Sequence, residues 1–405
     1  MELLNQPLTG QFGNRLIELL DSQSYHTLNI MVAFAKNSGV LRIKNALENF
    51  RLHGGTVNVY VGIDMDGTSY EALTALLLNT DNLYVVHSES GQTFHTKIYQ
   101  LIGMDNGLVV VGSHNLTGGG LWTNFESSLL VPIGGSHQDA DGLDQAVEDY
   151  LSALAALGKS FMAIADQDDL DRLLENGYIL REVAQQVRRR NAAPQGAGQT
   201  RLFGNGTPVK LPRVLASEVA PALLTSPQPV AIPHGDEGTT IWFETRAMTG
   251  GSRNILDLSM KSLVERGDPT GTPFELDSPD IMRGAVEFFG LNPTSINETK
   301  DISINFEGVD FTGNTILFPD GERANGTWRL QIKGTSLAGE KITEAFRSRS
   351  GGHYLQYKIV TFTKIQDDYY FMSVFPESEL QNFKTASQIV ARNGASSSAK
   401  MLGLI

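Results

Sequence analysis

Short β-branched runs alternate with segments of helical period over the first 160 residues. TLNIMVAFA (27–35), TVNVYVGI (56–63) and LYVVHS (83–88) have the near-continuous apolar character of strands buried on both faces. Between them, VLRIKNALENF (40–50) and SYEALTALLLN (69–79) repeat their apolar residues at helical spacing, and the Gly-Gly at 54–55 marks a helix stop. FHTKIYQLI, GLVVVGS and FESSLLVPI follow as a strand series broken by Gly and Asn, and DGLDQAVEDYLSALAAL (141–157) predicts a closing helix. This pattern is an α/β domain over residues 1–165.

The pattern then lapses. An acidic stretch, DQDDLDRLLE (166–175), leads into YILREVAQQVRRR (178–190), a helix ending in three arginines. From about 191 to 238 the chain is rich in Ala, Pro, Gly and Gln without sustained period, so residues 166–238 form a helical, acidic segment and linker. The segment 239–405 is mostly β. IWFETR, ILDLSM, DISINFEG, NTILFP, TWRLQIKG, YLQYKIVTFTKI and YYFMSVF give about seven strands, with helices predicted at 278–290 and 337–347 and near the C-terminus. Seven strands with inserted helices predict a small open barrel. No internal repeat occurs.

Length and composition leave that division standing. A chain of 405 residues exceeds one ordinary domain, and 41% hydrophobic with 19% charged residues is a globular composition. No apolar run approaches the ~20 residues of a membrane helix. The N-terminal sequence has no basic flank and apolar stretch of a secretory signal, so a cytoplasmic, bacterial setting without membrane partners is expected. With no cysteine, disulfides and thiolate metal sites are excluded. The net charge of −13 argues against nucleic acid only at first sight. From residue 239 onward 17 basic residues face 20 acidic ones, so most of the excess lies in the front half, and a near-neutral back half can present a basic face.

Candidate chemistry concentrates in FHTKIY, VVVGSHN and NFESSLL. On an extended strand His95 and Lys97 point the same way; Asn115 ends the next strand segment and Glu126 begins the one after. An imidazole, an ammonium and an amide brought together suit a phosphate oxyanion, and a neutral imidazole can attack phosphorus while a second protonates the leaving oxygen. One chain offers one such His; a pair of chains offers two. Taken alone, His-x-Lys usually describes a half-exposed strand and Gly-Ser-x-Asn a turn. It is their conjunction, between strand runs and ahead of Glu126, that points to catalysis. His114 alternates away from Ser113 and Asn115 and is expected to pack or to face solvent. The other histidines, His87 included, lack metal-ligand spacing, so no metal and no cofactor are expected. Gly118–Gly120 is expected to form a flexible loop.

His-x-Lys followed by Gly-Ser-x-Asn resembles the phospholipase D superfamily. From His95 to Val131 the chain is similar to its BfiI-type and NgoFVII-type restriction endonucleases, including the Asn-x-Thr-Gly step and the late Glu. The wider superfamily has Asp five residues after the Lys; Ile102 stands here, as in the restriction subfamily. The resemblance implies a phospholipase-D-like mixed sheet flanked by helices. It also implies His95 as nucleophile with its symmetry mate as general acid, Lys97 and Asn115 on the phosphate, Ser113 as a secondary contact, and Glu126 orienting His95. A homodimer sharing the site through the catalytic domain follows, as does metal-independent cleavage of double-stranded DNA as a type II restriction endonuclease.

Residues 239–390 resemble, less specifically, the B3-like DNA-binding pseudobarrel of that subfamily. Its two arms would be 246–254 and 319–327, with Arg246, Arg253, Asn254, Arg323 and Asn325 facing base edges and Thr249 and Ser252 facing phosphates. Ordinary polar hairpin loops have the same composition. Three other functions compete. The chain could be the nuclease subunit of a restriction system with a separate ATP-driven translocase and a cognate methyltransferase, since it holds no Gly-x4-Gly-Lys-Ser/Thr motif of its own. It could be a phosphodiesterase acting on another substrate, or a DNA-binding protein with a decayed nuclease. The acidic 166–175 stretch is either a solvated helix face or a mobile segment that occupies the cleft until a site is recognised.

Overall fold

The computed structural model describes residues 1–134, 141–192, 206–207, 209, 211–216, 238–248, 253–278, 280–319 and 326–405. The chain divides into two compact units, one built on Met1–Glu182 and the other on Gly238–Ile405 together with Val183 and Val187.

In the first unit the elements run β1 (Glu2–Gln6), α1 (Phe12–Asp21), β2 (Thr27–Val32), α2 (Asn37–Leu52), β3 (Thr56–Gly62), α3 (Tyr70–Asn79), β4 (Asn82–Val86), β5 (Lys97–Ile102), β6 (Gly107–Gly112), β7 (Glu126–Ile133), α4 (Asp141–Ala155), β8 (Phe161–Ile164) and α5 (Gln167–Glu175). The eight strands form one mixed sheet in the order β1-β7-β6-β5-β2-β3-β4-β8. β2, β3 and β4 are parallel, and β5 runs antiparallel to β2. Buried Val40, Ile43, Leu47 and Phe50 recur along one face of α2, and the Ser69 hydroxyl caps α3 by accepting from Ala72 N–H at 3.1 Å.

Register is pinned by a polar ladder across four strands. Asn82 donates to Asn58, Asn58 to Asn29, Asn29 to Gln100, and Gln100 to Asp144 of α4, at 2.8, 2.7, 2.7 and 2.5 Å. Each bond is worth about 0.5–1.5 kcal/mol net, but a slipped strand would strand buried amides without partners. A one-residue slip of β5 would also turn Lys97 to the opposite face. The carboxyl ends of β2, β3 and β4, the start of β5, the end of β6 and the start of β7 therefore share one rim, the edge at which open α/β sheets bind ligands.

The acidic stretch is a helix, not a mobile segment. Leu170 and Leu173 of α5 are buried, Asp166 caps its N-terminus at Asp169 N–H, and Asp171 accepts the Tyr70 hydroxyl at 2.6 Å. Its apolar stripe fastens the segment down, and the cleft-filling alternative falls.

The second unit begins with α6 (Glu182–Ala192), whose Val183 and Val187 join its core. It continues β9 (Thr240–Glu244), β10 (Ile255–Leu258), β11 (Lys261–Arg266), β12 (Ile281–Arg283), β13 (Thr299–Phe306), β14 (Val309–Leu317), β15 (Trp328–Gln331), α7 (Ile342–Ser350), β16 (Lys358–Gln366), β17 (Tyr369–Pro376), α8 (Leu380–Ala386), β18 (Ile389–Arg392) and β19 (Met401–Leu404). Eleven strands, not about seven, make one sheet in the order β10-β15-β14-β13-β17-β16-β9-β19-β18-β11-β12. That ladder has two ends, so among the described residues no barrel closes, and the pseudobarrel expectation is not met in that form. The helix expected at 278–290 is instead strand β12 and a short 3₁₀ turn, Ala285–Phe289. Gly284 explains it: β12 pairs with β11, and a Cβ on Gly284 would lie 1.7 Å from the Ser259 carbonyl. The helix expected at 337–347 starts at Ile342, after Gly339 at φ +84. α8 does not end the chain's ordered structure; β18 and β19 follow it as a hairpin laid against β9 and β11.

Candidate active site

Lys97 opens β5 and His95 lies two residues before it, on the loop arriving from β4. The Lys97 side chain is nearly buried, at 9% exposure, and bends back onto its neighbour. Its Nζ stands 2.8 Å from His95 Nδ1 and 3.2 Å from Nε2, and it donates to the His95 carbonyl at 2.9 Å. The two similar distances set Nζ across the imidazole, against both of its nitrogens, rather than on the in-plane lone pair of one. His95 itself is exposed. Burial pulls the Lys97 pKa below the ordinary lysine value, and the carboxylate of Glu126 opposes that shift.

Phe34, two residues beyond β2, joins the two halves of the site. Its ring meets the His95 ring edge to face at 5.7 Å and lies 6.0 Å from Lys97 Nζ. Its backbone N–H donates to Asn115 Oδ1 at 3.2 Å, so the Asn115 amide is turned by the end of β2 and its NH₂ is left as the donor. Leu116 N–H to the Phe34 carbonyl and Lys36 N–H to the Leu116 carbonyl, both 3.0 Å, stitch the two loops together. Nothing in the run TLNIMVAFA distinguishes Phe34 from a core strand residue, which is why its role escapes sequence reasoning.

Ser113 and Glu126 bond to neighbours other than His95 in this structure. The Ser113 hydroxyl exchanges hydrogen bonds with the Ser127 backbone at 3.1 and 3.4 Å, which ties the end of β6 to β7. Glu126 Oε1 accepts from Asn124 Nδ2 at 3.3 Å, and among the described residues no hydrogen bond joins it to His95. Its carboxylate acts through its field instead, on Lys97, Tyr99 and His114. In this structure the His95 ring meets Lys97 and Phe34. His114 is a packing residue. It is buried, stacked on Phe12 at 4.6 Å, and bonded through Nδ1 to the Gly120 carbonyl and through Nε2 to the Ser128 hydroxyl.

The Gly118–Gly120 run is not a flexible loop. Gly119 and Gly120 open a buried π-helical turn, Gly119–Thr123, anchored by Trp122, whose Nε1 donates to Asn14 Oδ1 at 2.9 Å. A Cβ on Gly120 would stand 2.4 Å from the Asn115 carbonyl and 2.8 Å from its N. Gly120→Val should therefore displace Asn115 and destabilise the unit by about 1–3 kcal/mol. Urea unfolding alongside turnover would check it, and an unchanged midpoint with full activity would contradict the packing account.

In the second unit, Thr249, Ser252, Arg323 and Asn325 lie outside the described residues. Arg246 is held by its own unit: Nε and a terminal nitrogen reach the two oxygens of Glu244, at 3.1 and 3.4 Å, and the other terminal nitrogen donates to the Ser398 carbonyl. Arg253 packs beside Gly352, and the Asn254 carbonyl accepts from Ile332 N–H. These three are not brought together with one another by hydrogen bonds. β10 and β15 pair antiparallel, Ile255 opposite Gln331 and Leu258 opposite Trp328, so the two expected arms lead into opposite ends of a four-residue ladder.

No protein-family profile matches the chain, and no curated protein matches it. Solved structures do. A phospholipase D family member, Nuc from Salmonella typhimurium, is 16% identical over 41% of this chain and 97% of its own, with a TM-score of 0.29. NucT from Helicobacter pylori is 14% identical over 40% of this chain and 98% of its own, at 0.30. Yeast tyrosyl-DNA phosphodiesterase is 13% identical over 33% of this chain and 34% of its own, at 0.24. At these scores the likenesses assign no activity, and the functional reading rests on the site's own residues. Among the described residues no helix is long and apolar enough to cross a membrane, and no three His, Asp or Glu side chains gather as metal ligands.

Proposed function

We propose that this chain hydrolyses DNA phosphodiester bonds through a covalent histidine intermediate, as a sequence-specific, metal-independent type II restriction endonuclease acting as a homodimer. One observation carries the reading: an exposed imidazole against a nearly buried ammonium, linked through Phe34 to the Asn115 amide, on the rim of an α/β sheet. His95 attacks phosphorus and the bond to the leaving oxygen breaks. The Lys97 ammonium turns from the ring to the phosphoryl oxygens, where with the Asn115 NH₂ it offsets the developing charge. The leaving oxygen takes a proton from the partner's imidazole. Water then attacks the phosphohistidine and returns both rings to their starting state. The second unit supplies sequence reading through its arms 246–254 and 319–327, including Arg246, Thr249, Ser252, Arg253, Asn254, Arg323 and Asn325.

The purified chain, incubated with plasmid DNA in excess EDTA without nucleotide, should produce discrete fragments. It should run as a dimer in light scattering, and an acid quench should trap phosphate on His95. Fragments appearing only with ATP and a cell extract would instead make it the nuclease subunit of an ATP-driven system. Strict dependence on a divalent cation would remove the covalent-histidine mechanism.

A further inference from the structure

The loop that carries His95 leaves β4 after Val86 and reaches β5 only at Lys97, and one carboxylate ties it at two points. Asp64, in the turn after β3, uses both oxygens. One accepts from His87 Nδ1 at 2.8 Å and the other from the backbone N–H of Phe94 at 3.2 Å. Phe94 immediately precedes His95. The Asp64 and His87 side chains are 12% and 27% exposed, so neither bond lies open to bulk water. The far side of the pair is anchored too. The His87 backbone N–H donates to the Ser160 carbonyl at 3.0 Å, and the Tyr178 ring packs edge-on against the imidazole at 5.4 Å.

Phe94 is gripped at two further points. Its carbonyl lies against Gly62, where a Cβ would stand only 2.9 Å from the oxygen, and its ring is buried with Met31, Val86 and Val109. The turn that presents Asp64 holds two non-glycine residues, Met65 and Asp66, in the left-handed region at φ 59 and 52. Strain of that kind persists where surrounding contacts over-determine the backbone, and it clusters at functional sites. An Asp–His pair could be plain loop stapling. Here the carboxylate's second oxygen lands on the peptide adjoining the candidate nucleophile, which ordinary stapling does not require.

We propose that Asp64 is a positioning residue for His95, holding the Phe94 peptide so that the imidazole stands in line with the scissile phosphorus, and that His87 orients Asp64. This rests on the reading of His95 as nucleophile. Displacing a reacting group by about 1 Å can cost on the order of 10²-fold in rate, so the carboxylate has leverage without touching substrate.

The test compares Asp64→Ala, Asp64→Asn and His87→Ala with the full-length dimer on a DNA duplex, well below each variant's melting temperature. Asp64→Ala should lower kcat roughly 10–100-fold with KM nearly unchanged and the pH profile unmoved. Asp64→Asn should recover most of the rate, because its carbonyl can accept from Phe94 while its NH₂ donates to the other tautomer of His87. His87→Ala should fall between. Independently of activity, the Phe94 amide should lose hydrogen-exchange protection in Asp64→Ala and keep it in Asp64→Asn. Wild-type kcat in Asp64→Ala overturns the proposal, as does a limb of the pH profile vanishing in His87→Ala, which would make that ring a proton carrier. A His95→Ala protein that cuts as fast as wild type would instead strike the reading of His95, whatever Asp64 does.

Discussion

His95→Ala should abolish phosphodiester hydrolysis while leaving the protein folded and able to bind DNA. The ring is exposed, and its contacts among the described residues are Lys97 and Phe34. Exposed substitutions of this kind shift stability by no more than about 0.5 kcal/mol. Loss of the attacking atom removes the reaction channel itself, so turnover should fall by roughly 10⁴-fold or more, as it does when other enzymes lose their nucleophile. Mixing resolves whether two chains share the site. With His95→Ala and wild type randomly paired, activity should follow the square of the wild-type fraction, since a heterodimer holds one imidazole. A linear decline would show each chain complete in itself.

The site was legible in the sequence to the extent that its geometry is local. His95 and Lys97 are two apart, and strand periodicity puts two such residues on one side whatever the rest of the chain does. The strands β2 to β4 were equally readable from their β-branched runs, and β5 to β7 from apolar runs separated by Gly and Asn. Contacts made across the fold were not. Phe34 meets His95 and Lys97 only because β2 and β5 are neighbours, and Asp64 reaches Phe94 only because the turn after β3 folds over the same rim. Glu126 was assigned to the imidazole by its place in a pattern, whereas its nearest donor is Asn124, two residues away on the same strand entry.

Four of the strands that escaped, β1, β12, β18 and β19, lean on their pairing partners. β1 reads ELLNQ, with no β-branched residue, and exists by pairing along β7 at an edge. β12, β18 and β19 have three or four residues each; β18 and β19 form a hairpin but are fixed in the sheet by β11 and β9, more than a hundred residues earlier, and β12 by β11. Intrinsic preference over so few residues is weak beside those pairings. The apolar spacing of IMRGAVEFFG mimics a helix because Val286, Phe288 and Phe289 are all buried, yet backbone contact at Gly284 decides the conformation.

Lys97→Met should cost about 10²–10³-fold in kcat, the loss seen when one preorganised donor to a developing oxyanion is removed. Charge matters as well as position, and this makes the wild-type rate depend on pH. Burial holds the Lys97 pKa below its ordinary value, so the ammonium is lost earlier than in an exposed lysine. As pH rises through the depressed value toward the unfolded value near 10.4, kcat/KM should fall, because the group that neutralises the phosphoryl oxygens is gone. Stability should move the opposite way over the same window. The unfolded chain still binds the proton that the folded chain has released, so raising pH favours folding as far as this group is concerned. A bound phosphodiester opposes deprotonation, so the alkaline limb of kcat should lie at higher pH than that of kcat/KM. Lys97→Arg keeps a cation at all these pH values and should flatten both limbs, even if its altered reach lowers the plateau. Identical alkaline limbs in the wild type and Lys97→Arg would assign the titration to another group and leave Lys97 with a purely steric part in the site.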